Sequence, residues 1–429
     1  MPISLAMLVP QVNFITNNIF LSGLGQQELA SAGITGVYYL IFAVIGNGLN
    51  NGVQALIARR AGQNLPREIG RLFFHAVWIA LTIAAAGIAI TYTFAPPLLR
   101  AVLHNSEIAD QVISFLLIRI WGLPLLYLYI MRNALLVGTN NTRLLVWGTL
   151  SEAVVNIVLD YGLIYGNLGL PEIGFNGAAY ASIIAEGTGL VVIYAVIHIK
   201  KLHQSFAFFE DTHISWGIFK TILVFSSPLI VQYSISIASW EYFYILIEHH
   251  GDRALAVSNA MRNFFGLFGI FSWSFAATAN AMVSNVIGQD RREEVLPLVG
   301  KIARLSFGIG LVIFCVLNVV PGWFLSFYGQ GDEFNAYGVP VVRVVSVGLL
   351  SMSFGTVWLN AVTGTANTRV NLIIEAITLV VYCVYVYVVL ERLQMPITWG
   401  WASEWIYWAS IFFLAWGYMR SGKWKSKTI

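Results

Sequence analysis

Glu152, Asn156 and Asp160 recur at intervals of four within SEAVVNIVLDYGLIYG, residues 151–166. On a helix this spacing gathers them into one slowly drifting polar stripe. The residues beside them are Val, Ile, Leu, Tyr and Ala. Keeping a carboxylate in such surroundings inside a bilayer costs about 2.5 kcal/mol or more, so it is retained mainly where it faces a cavity, a partner or an ion path. Asp160 is therefore the first candidate for chemistry. Two roles are open to it: carrying a proton, or joining Asn and Ser oxygens in a Na⁺ shell. The residue types leave H⁺ and Na⁺ as alternatives.

The elements that must position this stripe are membrane helices. Hydrophobic residues make up 58% of the 429, charged residues only 10%, and the mean hydropathy is +0.73. A soluble domain carries roughly 25% charged residues. Apolar runs long enough to span, about 20 residues, fall near 2–22, 32–57, 72–95, 112–137, 144–165 and 177–199. A second set falls near 218–247, 253–286, 302–328, 338–362, 370–391 and 398–419. The expected fold is an all-α polytopic membrane protein of twelve transmembrane helices. The run from Pro2 to Ser22 is expected to be the first span rather than a cleaved signal, being too long and too continuous with the next segment of the chain. Cys315 and Cys383 sit singly in apolar runs and imply neither a disulfide nor a metal site. The net charge of +3 gives no ground for a nucleic-acid partner.

Two halves are related by duplication. Gly25 pairs with Gly251, Gly62-Gln63 with Gly288-Gln289, Gly138-Thr139 with Gly364-Thr365, and Pro2 with Pro228. Each pair shares an offset of 226 (for example 251 − 25). Six spans per repeat give both copies the same orientation, a parallel pseudo-two-fold arrangement along the membrane normal. The expected division is a six-helix lobe over 1–200, a polar linker over 201–217 and a second six-helix lobe over 218–429. Arg59, Arg60, Arg67, Arg71, Arg143, Lys200 and Lys201 collect on one side, followed by Arg291, Arg292, Lys301, Arg304, Arg369 and the basic C-terminus. The positive-inside bias makes that side, and both termini, cytoplasmic. A plasma (inner) membrane location follows as an expectation.

Depth can be counted at about 1.5 Å per residue. Asp160 lies six residues inside Gly166 and Asn17 six inside Gly23, about 9 Å down, with Ser182 about 8 Å inside Gly177. Asn13, Asn156 and Glu186 share a second level at about 14–15 Å, and Glu152 lies a turn deeper. Three helices thus bring polar groups to matched depths. Asp160, Asn156, Ser182, Asn17 and Glu186 form the expected ion-coupling set, with Na⁺, if used, at Asp160, Asn156 and Ser182. Glu152, Asn13, Glu241 and Glu375 are expected to line a substrate cavity. Pro10 is expected to bend the first helix. The plainer role for any Asn or Ser here is a hydrogen bond between helices. Arg119, Arg262 and Arg343, also within spans, either pair with a Glu or meet a substrate. The repeat position of Asp160 is Val386, so the halves differ in chemistry.

Gly25…Leu29-Ala30, Gly62-Gln63, Gly138-Thr139, Asn156-Ile-Val-Leu-Asp160 and Gly174-Phe-Asn-Gly177-Ala178-Ala179-Tyr-Ala181-Ser182 resemble the multidrug and toxic compound extrusion (MATE) family. The resemblance runs over essentially the whole chain. It implies two six-helix lobes around a central cavity, alternating access, and export of cationic or amphipathic compounds against H⁺ or Na⁺. The family pattern has an Asp in the first helix, Asn and Asp in the fifth, and Thr or Ser in the sixth. Asn156, Asp160 and Ser182 match, whereas Asn17 stands where the first-helix Asp would be. Glu186, one turn from Ser182, is expected to supply the missing charge.

The expected function is therefore an ion-coupled multidrug efflux antiporter, acting as a monomer in the lipid bilayer, without a cofactor beyond the coupling ion. A lipid-linked oligosaccharide flippase of the same superfamily is the alternative, and it would need Arg and Lys along its path to meet phosphates. An embedded enzyme is not expected, since no paired-Asp, His-Glu or Cys–His motif lies within a span.

Overall fold

A backbone inside lipid must satisfy its own hydrogen bonds, and this chain does so with helices. The computed structural model describes residues 2–103, 105–208, 210, 212–328 and 331–426, leaving aside the side chains at 10, 14, 15, 18, 22, 26, 29 and 30, and among them there is no strand. The long helices of the first half are α1 (Pro2–Ser22), α2 (Gln26–Gly62), α3 (Pro66–Val102), α4 (Ser106–Gly138), α5 (Leu145–Tyr165) and α6 (Phe175–Ile199). Those of the second half are α7 (Trp216–Glu248), α8 (Asp252–Gly288), α9 (Val295–Val319), α10 (Asp332–Gly364), α11 (Thr368–Val386) and α12 (Ser403–Arg420). Among the described residues ten of these are long and apolar enough to cross a membrane by length and composition. With α1 and α12 they fill the twelve expected places. Pro10, expected to bend α1, lies outside the described residues.

The outward faces match this reading. Trp147, Val191, Val316 and Phe413 are each more than one-third exposed on long helices, an apolar surface that suits lipid and not water.

The duplication is visible in the backbone. Both α2 and α8 are 37 residues long and begin and end at positions 226 apart (252 − 26 and 288 − 62). The left-handed residues that close the helix pairs also recur at that offset: Asn64 with Asp290, and Asn140 with Ala366. Non-glycine residues seldom hold positive φ, so two matched pairs reflect a shared turn design.

The chain divides into two compact units, Met1–Val224 and Phe225–Ile429. The dividing point falls inside α7, beyond the segment expected as a linker, because that segment packs onto the first unit. Phe208 stacks on Phe73 with ring centroids 5.2 Å apart. The buried His75 of α3 donates from Nδ1 to the Arg71 carbonyl at 2.7 Å, and its Nε2 accepts from the Ser215 N–H at 2.9 Å. One nitrogen donates and the other accepts, which fixes the neutral imidazole with its proton on Nδ1. A Cβ on Gly70 would run into the Phe206 carbonyl and reach within 2.9 Å of that of Ala207, so the docking requires glycine there. In the second unit, Trp401 is enclosed by Phe243, Tyr244 and Phe265, and its Nε1 donates to Ser258 Oγ at 3.0 Å.

Candidate functional site

The far end of α5, away from Arg143, is built by close packing. Gly166 ends the helix at φ +70, the left-handed C-terminal position that glycine takes without strain. A Cβ on Gly177 of α6 would lie 2.7 Å from the Leu163 carbonyl oxygen, so only glycine lets α6 approach α5 so closely. Leu21, Ile164, Phe175 and Ala178 then form an apolar plug over the ends of α1, α5 and α6. The Tyr165 hydroxyl donates to the Phe20 carbonyl at 2.5 Å and ties α5 to α1 across it.

One turn beneath the plug, Asn17 and Asp160 meet. With its nitrogen facing the carboxylate, the Asn17 amide donates to both oxygens of Asp160, at 3.1 Å to Oδ1. Asp160 is 0% exposed. Among the described residues, no Lys, Arg or His forms an ion pair with it. One further turn down, Asn13 on α1 and Asn156 on α5 are both buried. Among the described residues, the Asn13 Oδ1 and Asn156 Nδ2 atoms find no hydrogen-bond partner. An acceptor and a donor thus stand ready below the carboxylate. Ser182, on α6, is half-buried.

Glu186 has a different setting. A 3₁₀ turn over Ile120–Gly122 interrupts α4, and Arg119 just before it reaches Glu186 of α6 in a two-pronged ion pair: Nη1 donates to Oε2 at 3.1 Å and Nη2 to Oε1. The guanidinium also lies over the Tyr39 ring, 4.3 Å from its centroid. A Cβ on Gly122 would come within 2.9 Å of Glu186 Oε2 and collide with Arg119. The charge of Glu186 is therefore already matched, while that of Asp160 is not.

Towards the Arg143 end of the first unit stands Arg132, which was not among the sequence candidates. It is 0% exposed, its guanidinium stacks 3.8 Å from the Tyr129 centroid, and among the described residues none of its three side-chain nitrogens has a hydrogen-bond partner. Glu152 Oε2 is likewise buried without a partner. Both groups flank the crossing of Gly148 and Gly189, where added Cβ atoms would lie 3.1 Å from Arg132 Nη1 and from Glu152 Cβ respectively. A lone Arg in the apolar run LPLLYLYIMRNALLVG was the available signal.

In the second unit, Glu241 is half-exposed and faces Arg262 at 4.0 Å, with that guanidinium also near the rings of Trp240 and Tyr244. Arg343 is exposed. Glu375 is 1% exposed and enclosed by α7 and α12. Its Oε1 accepts from Ser236 Oγ and Tyr407 OH, both at 2.5 Å, and its Oε2 accepts from Gln232 Nε2 at 3.3 Å. The structure thus sets Glu375 in the interior of its unit. Glu404, also buried, accepts from Trp408 Nε1 at 3.0 Å; its place inside an aromatic run, WASEWIYW, gave it little prominence in the sequence. Among the described residues no three His, Cys, Asp or Glu side chains converge as a metal site. A Na⁺ at Asp160 would have to draw on amide, hydroxyl and carbonyl oxygens.

The MatE family model matches this chain twice, over residues 2–162 and 228–388, two stretches that begin 226 residues apart (228 − 2). A probable multidrug resistance protein NorM of Synechocystis is 24% identical over 399 residues, covering 88% of this chain and 83% of that protein. A probable NorM of Halalkalibacterium halodurans is 24% identical over 326 residues, covering 75% and 69%. Among solved structures, a MOP superfamily transporter from Pyrococcus furiosus superposes with a TM-score of 0.87 at 19% identity, covering 99% of this chain and 95% of that one. A MATE transporter from Vibrio cholerae superposes with a TM-score of 0.90 at 18% identity, covering 99% and 96%. Two matches of one family model, at the offset that the sequence repeats and the backbone repeats, identify this chain as a multi-pass membrane transporter of the MATE family.

Proposed function

We propose that the protein exports cationic or amphipathic organic compounds in exchange for H⁺ or Na⁺, with Asp160 carrying the coupling ion. The observation that carries this reading is the contrast between two buried carboxylates. Glu186 has a resident guanidinium, whereas among the described residues Asp160 has only the neutral amide of Asn17. A buried carboxylate without a counter-charge is costly, so a proton or a small cation arriving from solution has a large binding advantage there. Family membership and relatives named as multidrug resistance proteins support the substrate class.

In this reading the basic ends of the helices face the cytoplasm, and the plug of Leu21, Ile164 and Phe175 guards the outer approach to Asp160. Asn17 reports the state of the carboxylate to α1, because its amide donates when Asp160 is ionised and accepts when Asp160 is protonated. For coupling, ion and substrate must favour different conformations of the transporter. Asn156 and Ser182 would furnish further oxygens to a bound Na⁺. The protein works as a monomer in the plasma membrane.

The test is dye efflux from proteoliposomes under a pH gradient or a Na⁺ gradient, imposed separately. One gradient is expected to drive efflux, and Asp160→Asn is expected to abolish that drive at an unchanged protein level. Wild-type efflux from the variant would refute the assignment. One observation favours the flippase alternative, namely the buried guanidinium of Arg132 in the first unit, which forms no ion pair within 4 Å among the described residues. Translocation of a lipid-linked sugar by the same vesicles, lost in Arg132→Gln while dye efflux is absent, would replace the export reading.

A further inference from the structure

We propose that Glu375 is a second proton-exchanging site, held in the second unit and read by an amide relay through Gln232 and Asn371. Ser236 Oγ lies 3.0 Å from the Gln232 carbonyl and 2.5 Å from Glu375 Oε1, yet a serine hydroxyl has one proton to give. When Glu375 is ionised, that proton goes to the carboxylate. When Glu375 is protonated, Ser236 turns back to the carbonyl of its own helix and its oxygen accepts from the carboxyl. Both arrangements satisfy the hydroxyl and the carboxyl oxygen it faces, as a buried polar contact must.

The other carboxylate oxygen has the same property. Asn371 Nδ2 donates to Gln232 Oε1 at 2.8 Å, and Gln232 Nε2 donates to Glu375 Oε2 at 3.3 Å. Turning both amides reverses the chain: a proton on Oε2 is donated to Gln232, whose nitrogen then donates to Asn371 Oδ1. In the present arrangement Asn371 Oδ1 is buried and has no hydrogen-bond partner among the described residues, as the reversed chain requires of an acceptor held in reserve. The geometry suits a proton better than a metal ion. Two hydroxyl oxygens converge on one carboxylate oxygen at charge-assisted hydrogen-bond distance, instead of spreading around a space for a cation.

Glu375 has no paired cation among the described residues. Among the described residues, the titratable groups around it are Tyr407 on α12, which touches it, and, further off, Glu404 on α12 and Tyr382 on α11 itself, while α7 contributes the neutral Gln232 and Ser236. Any change in its charge is therefore felt by α7 and α12 together. The placement mirrors the first unit with a difference. In each unit a carboxylate on the fifth long helix meets an amide on the first: Asp160 on α5 with Asn17 on α1, and Glu375 on α11 with Gln232 on α7. Asp160 lies near the far end of its helix, whereas Glu375 lies seven residues inside Thr368, about 10 Å from the basic end. Each unit thus holds its exchangeable proton near a different end of equivalent helices. The role in a transport cycle rests on the ion-coupled reading above; the binding of a proton does not.

The test is infrared difference spectroscopy between acid and alkaline pH on the full chain in lipid, together with proton uptake measured by a pH-indicator dye. Wild type is expected to show a protonated-carboxyl C=O band that Glu375→Gln lacks and Asp160→Asn keeps, and Glu375→Gln should bind about one proton fewer per chain than wild type. Tyr407→Phe and Ser236→Ala, which keep the carboxyl but each remove a hydrogen bond, should shift that band, so the proposal is tested even if Glu375→Gln fails to fold. Identical spectra and equal proton uptake in wild type and Glu375→Gln, or an unshifted band in both other variants, would overturn it. Loss of gradient-driven efflux in Asp160→Asn with no spectral change in Glu375→Gln would reject this site and leave the export reading standing. The converse pattern would do the opposite.

Discussion

Removing both partners of the Arg119–Glu186 pair should cost less than the sum of removing each alone. The two side chains are 12% and 10% exposed, so solvent screens their attraction little. Breaking such a pair by deleting one partner costs about 3–5 kcal/mol, because the other charge stays buried and unmatched. Arg119→Met also loses the stack on Tyr39, which adds up to about 2 kcal/mol in a desolvated setting. Glu186→Gln leaves an amide oxygen for one guanidinium donor and keeps that stack, which sets it at about 3 kcal/mol. The double variant has no unmatched charge, so its cost should fall about 2–3 kcal/mol short of the sum of the singles. Gly122→Ala, which pushes a methyl group into the pair, should resemble the milder single variant. The assay is a double-mutant cycle of unfolding midpoints for purified protein in mixed micelles, with gradient-driven efflux measured on the same variants. Additivity within about 0.5 kcal/mol would show that the pair is not an energetic unit. A fully stable Glu186→Gln that loses coupling would be a sharper refutation, since it would make Glu186 a coupling residue and its bond to Arg119 incidental.

Two further predictions concern the same unit. Asn17→Asp sets a second carboxylate against Asp160, and two carboxylates in contact must share a proton or hold a cation; cation or proton binding should rise by about one per chain, and unchanged binding would mean the two side chains do not meet. Gly70→Ala and His75→Phe should each release the segment that packs on α3, speeding limited proteolysis between residues 203 and 215 several-fold while leaving α3 intact, and equal cleavage rates would show that the segment is held by other contacts.

The sequence carried most of the fold. Lipid leaves a backbone few solutions, so run length and composition sufficed for the helices, and the shared offset of 226 residues sufficed for the duplication that recurs in α2 and α8. It also brought Asn17, Asp160 and their neighbours to matched depths, since helical rise converts residue counts into height. Height is not direction, however. Glu186 and Asp160 are both acidic residues in apolar helices, and nothing local distinguishes them. Arg119 is 67 residues from Glu186, and only the break in α4 beside Gly122 turns it inward to cancel that charge. The same holds for Glu375, whose partners lie 139 and 32 residues away at Ser236 and Tyr407, and for the linker, which its polarity set between the lobes and His75 and Gly70 bind to one of them. Periodicity and hydropathy report what a residue needs from its surroundings. Which residue meets that need is settled when helices distant in sequence cross, because a buried charge is stabilised by whatever lies within a few ångströms of it and not by its neighbours along the chain.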